Sequence, residues 1–210
     1  MTFALERPIS RQLLTFEEFL VQYREDDRFE LIDGEVFDLE PTGPHEQVAA
    51  FITRKLDVQI DRFDLSYFAL QRGILKPLGD FIGFRPDVMI VDRNALSMEP
   101  LWKKESILTL GSSIKFVAEV VSSNWQNDYA RKVDDYALMG IPEYWIADYG
   151  AFGGVKYIGY PKQATLTICT LAGKEYHTQI LRGDDPIVSP TFPALTLTAA
   201  QVLESGEQIF

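Results

Sequence analysis

The stretch from Lys115 to Asp148, KFVAEVVSSNWQNDYARKVDDYALMGIPEYWIAD, constrains the fold more than any other part of the chain. An apolar run, Phe116 to Val121, is followed by the polar break Ser122-Ser123-Asn124. Tyr129, Val133, Tyr136, Ala137 and Gly140 then recur at helical spacing and predict a helix with one core-facing stripe. Ile141-Pro142 ends that helix, and Glu143 to Asp148 reads as a second strand. Strand, helix and strand joined by short links predict a right-handed βαβ crossover, and hence a parallel pair inside a larger sheet. Glu119 is the anomaly. It stands among Phe, Val and Ala in a strand patterned for burial on both faces. A carboxylate there is costly unless it is paired, hydrogen-bonded or bound to a cation. Its plainer explanations are a place near solvent at the strand end, or a lysine partner.

The remaining elements follow from local signals. Thr15-Phe-Glu-Glu18 fits a capping box ahead of a short first helix. Arg28–Ile32 and Glu35–Leu39 flank Asp33-Gly34, which suits a two-residue type I′ hairpin. Glu30 and Glu35 lie on its arms, where solubility of an edge explains them and a site role is the less ordinary reading. After Pro41-Thr-Gly-Pro44, a helix is predicted from about His45 to Phe63, with Val48, Phe51, Ile52, Leu56, Gln59 and Ile60 as its stripe. His45 falls in its first turn, where the helix dipole disfavours a charged imidazole. It reads as a cap or surface residue, or as a neutral imidazole facing a site. Ser66–Leu75 reads as one strand. Arg85-Pro86-Asp87 then opens the apolar strand Val88–Val91, which puts a second acid at a strand mouth. Asn94–Ser113 reads as a partly helical connection tethered by Trp102. Strands are expected at Val155–Tyr160, Thr165–Leu171 and Glu175–Leu181, and a short capped helix is expected from Thr198.

Composition sets the outer bounds. The chain has 210 residues, 46% hydrophobic and 24% charged, which suits one domain with a β-rich part from about residue 151. Cys169 is the single cysteine, so neither an internal disulfide nor a cysteine-based zinc cluster is available. Its strand-like surroundings favour a buried structural thiol. No apolar segment is long enough to span a bilayer, and MTFALERPISRQLL lacks the features of a secretory leader. A cytoplasmic protein is therefore expected. A net charge of −11 argues against non-specific DNA binding through many phosphate contacts. It leaves room for a local groove and suits a carboxylate-lined cation site.

Asp87 and Glu119 open or occupy successive apolar strands, and Lys132 follows on the helix, one turn after Asp128. Asp128 and Lys132, at i and i+4, share a face and are explained most simply as a surface ion pair. Brought together, however, an Asp, a Glu and a Lys suit metal-assisted phosphodiester hydrolysis. Mg²⁺ prefers oxygen ligands and is commonly held by one or two carboxylates plus water and substrate.

At these residues the sequence resembles the PD-(D/E)xK nuclease superfamily, and more closely the Uma-two family of restriction-endonuclease-like proteins. The matching pieces are RFELIDGEV, the His45 helix, RPDVMIV, the long central stretch from Ala118 to Asp148, and FPALTLTAAQVL. They run from about residue 15 to 203. The resemblance implies an α+β fold with a mixed central sheet flanked by helices and the site at one sheet edge. It implies Asp87 and Glu119 as Mg²⁺ ligands, with Mn²⁺ as a substitute, and DNA as substrate. The superfamily pattern sets a lysine two residues after the acid, where this chain has Val121. The Uma-type pattern instead supplies the lysine from the following helix, which matches Lys132, with Asp128 beside it and Glu30 and His45 in support. A homodimer is expected because nucleases often cut both strands as pairs, with the β-rich tail as the contact. Two rivals stand beside an endonuclease: a catalytically inactive nuclease-like fold serving as a binding or assembly module, and a hydrolase of small phosphorylated molecules.

Overall fold

A computed structural model describes residues 13–206. The leaderless reading of residues 1–12 lies outside the described residues. Helix α1 (Phe16–Tyr23) begins with the expected capping box, in which Thr15 and Glu18 exchange hydrogen bonds. Strands β1 (Phe29–Ile32) and β2 (Glu35–Asp38) form the predicted hairpin. Asp33 and Gly34 both take positive φ, 51° and 83°, as a type I′ turn requires. Helix α2 (Gly43–Arg62) is capped by Thr42 and carries Pro44 in its first turn. It buries Val48, Ile52, Leu56 and Ile60 along one face.

Ser66–Leu75 is not one strand. It divides into β3 (Tyr67–Ala69) and β4 (Ile74–Leu75), which belong to different sheets. Arg72 takes φ 60° between them, and a left-handed residue cannot continue a ladder. Strand β5 (Val88–Asp92) follows Asp87 as expected. The connection after it holds the single turn α3 (Trp102–Glu105) and β6 (Ile107–Leu108), which pairs in parallel with β4. Trp102 packs edge-on against Phe68, with ring centroids 6.1 Å apart.

Strand β7 (Ile114–Val120), helix α4 (Lys132–Met139) and strand β8 (Glu143–Asp148) form the core crossover, and β7 and β8 pair in parallel. Two details depart from the sequence reading. The helix is entered through a π-helical turn, Asn127–Arg131, and Gly140 is not on the core stripe. It ends the helix at φ 82°, the left-handed position that glycine occupies without strain. Val155–Tyr160 is likewise not a strand but contains the one-turn helix α5 (Val155–Ile158). Gly154 before it and Gly159 after it confine the segment to that turn. Strands β9 (Thr165–Ala172) and β10 (Glu175–Leu181) form where strands were expected and pair as an antiparallel hairpin, and α6 (Ala199–Leu203) is capped by Thr198.

The main sheet runs β10-β9-β8-β7-β5-β3, antiparallel except for β7 with β8. Alternation along the strands creates two apolar layers. Val88, Ile90, Phe116, Ala118 and Trp145 face α2 and α6. Met89, Val91, Val117, Tyr144 and Ile146 face the side that carries α4 and Tyr136. Cys169 is buried at 1% exposure, as its strand setting implied. Among the described residues no helix is long and apolar enough to cross a membrane.

Candidate active site

The antiparallel pairing of β5 with β7 sets Val88 opposite Ala118, so the mouth of one strand meets the end of the other. Asp87 and Glu119 thereby line the same small cavity, together with Glu30, His45, Asp128 and Lys132. All six acid, imidazole and ammonium groups singled out in the sequence converge there. The cavity lies at the ends of two interior strands rather than along an outer strand of the sheet.

Lys132 is its hub. Its ammonium lies 3.2 Å from Glu119 Oε1, 3.3 Å from Glu30 Oε2 and 3.4 Å from Asp128 Oδ1. The side chain is only 3% exposed, so this is no surface ion pair. Asp128 lies in the π-helical turn that leads into α4, and Tyr144 Oη donates to its carbonyl at 2.9 Å. Burial pulls the Lys132 ammonium towards neutrality, but the surrounding carboxylates outweigh it and hold the group well above the usual lysine range. It is an ammonium at any working pH.

Glu119 is 3% exposed and not near solvent. Its Oε1 also accepts from Tyr136 Oη at 2.6 Å. Burial, only partly countered by Lys132, pushes its carboxyl well up. Asp128 is pushed up to about 7, first by burial and then by its like-charged neighbours, against the pull of Lys132. Several carboxylates therefore share one ammonium, and the charge surplus is what a hard cation would relieve.

Asp87 is anchored from the other side of the sheet. Its Oδ2 accepts from the Val120 amide at 2.7 Å and lies 3.4 Å from His45 Nε2. Burial lowers the basicity of His45, but the hydrogen bond and charge of Asp87 overturn this, so the imidazole pKa is raised. That carboxylate outweighs the helix dipole which disfavours a charged histidine in the first turn of α2.

Glu30 is buried at 2% exposure, so edge solubility does not explain it. Its hairpin is held in place by Arg131, which bridges Asp33 at 2.9 Å and Asp135 at 2.8 Å. Arg85 holds the other side: its amide donates to Glu30 at 3.4 Å and its side chain to the carbonyls of Phe29 and Arg24.

Two participants were not singled out in the sequence. Tyr136 fell within the apolar stripe, where a phenol and a phenyl ring give the same pattern. Arg85 stood beside Asp87 in Arg85-Pro86-Asp87, and that adjacency was the available signal. Replacement of Tyr136 by Phe leaves the buried Glu119 carboxyl short of a donor. A loss of about 2 kcal/mol is expected in urea unfolding. An unchanged midpoint would mean that Glu119 finds an equivalent donor.

The donor set suits an oxygen-preferring divalent ion. Among the described residues no three of His, Cys, Asp and Glu approach closely enough for an all-protein cage. Mg²⁺ does not need one, since it keeps several waters and takes one or two carboxylates. Glu119 retains Oε2, which no hydrogen bond or ion pair from the described residues reaches. The cavity holds roughly 30 Å³, room for an ion or a water but not for substrate.

The six-stranded mixed sheet with helices on both faces defines a restriction-endonuclease-like fold. The chain belongs to the Uma2 family, described as "Putative restriction endonuclease", whose model matches residues 16–200. A crystal structure of "a putative nuclease belonging to DUF820" from Anabaena variabilis shares the fold, with a TM-score of 0.69 at 15% identity. The match covers 92% of this chain and 99% of that one. No curated protein sequence matches the chain.

Proposed function

We propose that this protein is a Mg²⁺-dependent endonuclease that hydrolyses DNA phosphodiester bonds, with Mn²⁺ able to substitute. The observation that carries the reading is the buried Lys132 ammonium set among carboxylates at the strand ends where Asp87 and Glu119 meet. Family membership supports the same chemistry. Asp87 and Glu119 are the residues that would hold the ion. When bound, the ion polarises a phosphoryl oxygen and makes its water more acidic.

The protein's own groups define the rest. Lys132 stays protonated, so it serves as a donor and not as a base. It steadies the attacking water and the negative charge that develops on the phosphoryl oxygens. Asp128 and Glu30 fix the direction of that ammonium. His45 restrains Asp87 from the α2 side, leaving Asp87 Oδ1 for the cavity.

Plasmid cleavage with Mg²⁺ or Mn²⁺ tests the assignment. Asp87→Ala is expected to lose activity on the order of 100-fold. Cleavage equal to that of the wild type would trace the activity to a contaminant. A second reading, a nuclease-derived fold used for binding, draws on the completeness of the Lys132 ion pairs, which could serve stability alone. Mn²⁺ titration separates the two, because the binding module needs no ion at Asp87 and Glu119.

A further inference from the structure

Beside the small catalytic cavity lies a larger one of about 560 Å³, and the two share Leu39, His45, Ser122 and Asn124. The rings of Phe37, Tyr149 and Phe152 line it. Phe152 is 40% exposed, a large apolar ring left open on this wall. Tyr149 meets it edge-on with centroids 5.7 Å apart, and the Tyr149 hydroxyl lies 3.3 Å from Thr42 Oγ1. Among the described residues no lysine or arginine lines this cavity, while Asp38 and Glu40 do.

We infer that this cavity takes an unpaired nucleobase next to the scissile phosphate, so that the substrate is single-stranded or locally opened nucleic acid. The inference relies on the cleavage reading above only for its choice of scissile bond. Volume decides first. The cavity matches a small-ligand site and cannot admit a duplex. Charge decides next. Two acids line the cavity, and its one basic group, His45, is already engaged by Asp87, so the wall disfavours a phosphate but accepts a neutral, flat ring. Such a ring stacks on aromatic side chains whatever its sequence. The hydroxyls of Thr42 and Ser122 and the amide of Asn124 can meet its polar edge. The neighbouring cleft, which shares Leu39 and Pro41 with it, gives phosphates no net positive field either, since its four arginines are interspersed with five acids, Asp27, Glu46, Asp57, Asp61 and Asp87. A chain with a net charge of −11 thus gains affinity from stacking more than from ion pairs.

The test is a fluorescence titration of the full chain with a DNA oligonucleotide carrying 2-aminopurine, in Ca²⁺ and at several salt concentrations. Quenching is expected for the single strand and not for the same oligonucleotide annealed to its complement. The salt slope should correspond to about one or two phosphates. Phe152→Leu should weaken binding about tenfold, while Phe152→Trp, which keeps a ring, should not. Equal quenching of the duplex, or equal binding by Phe152→Leu and the wild type, overturns the inference. In a parallel assay with Mn²⁺, single-strand quenching without cleavage leaves the base cavity standing and removes the nuclease reading. Cleavage that favours duplex over single strand does the reverse.

Discussion

Lys132→Met is expected to destabilise the protein by about 3–5 kcal/mol at neutral pH, because it leaves buried carboxylates without their counter-ion. Methionine has nearly the length of lysine and an apolar stem, so lost packing contributes little. The loss should shrink at pH 5. There Asp128, already pushed up to about 7, is protonated, and Glu119 is pushed in the same direction by the same burial. Urea unfolding at pH 5 and pH 8 measures both values. An equal loss at the two pH values would assign the effect to packing and not to charge.

The wild-type protein carries a related pH signature. Asp128 ionises near 3.8 when unfolded and at about 7 when folded. Its contribution is fully present below pH 4, where both states are protonated. Between about pH 4 and 7 the unfolded chain has released this proton and the folded one has not. Stability therefore falls as pH rises through that window. The size is on the order of a few kcal/mol. Lys132, with its pKa raised, stays charged throughout and does not contribute to the slope. Asp128→Asn should lessen the slope, leaving the part that the raised Glu119 contributes, and Mg²⁺ should lessen it too if it occupies the site, by favouring ionised carboxylates. Thermal melts from pH 4.5 to 8 with EDTA or Mg²⁺ provide the comparison. A wild-type slope that Asp128→Asn leaves unchanged would place its origin elsewhere.

The fold was legible wherever local chemistry and tertiary demand agree. Thr15 with Glu18, Asp33-Gly34 and the strand–helix–strand around Glu119 each have one low-energy reading, and the structure adopts it. Ser66–Leu75 and Val155–Tyr160 were misread because a short apolar run does not reveal whether a turn interrupts it. The site was legible in its charged members, since a carboxylate in an apolar strand needs a partner. Glu119 showed that need, and Lys132 is a partner it meets in space. Glu143 gives the contrast. It is fully buried, but Trp145, Ser189 and Thr191 satisfy it by hydrogen bonds on the α6 side of the sheet. Burial of an acid thus indicates a need for partners and not their kind. Tyr136 and the π-helical turn left no trace in the pattern. A phenol counts as apolar, and one extra residue in a turn does not disturb a short stripe.

Lys132 approaches Glu119 from α4 and not from the strand that carries the acid, and this has a corollary. A cationic group delivered by a helix need keep no fixed interval from the acids around it; what counts is its reach in three dimensions. Searches keyed to residue counts along a strand will pass over such centres, while superposing side-chain tips will find them.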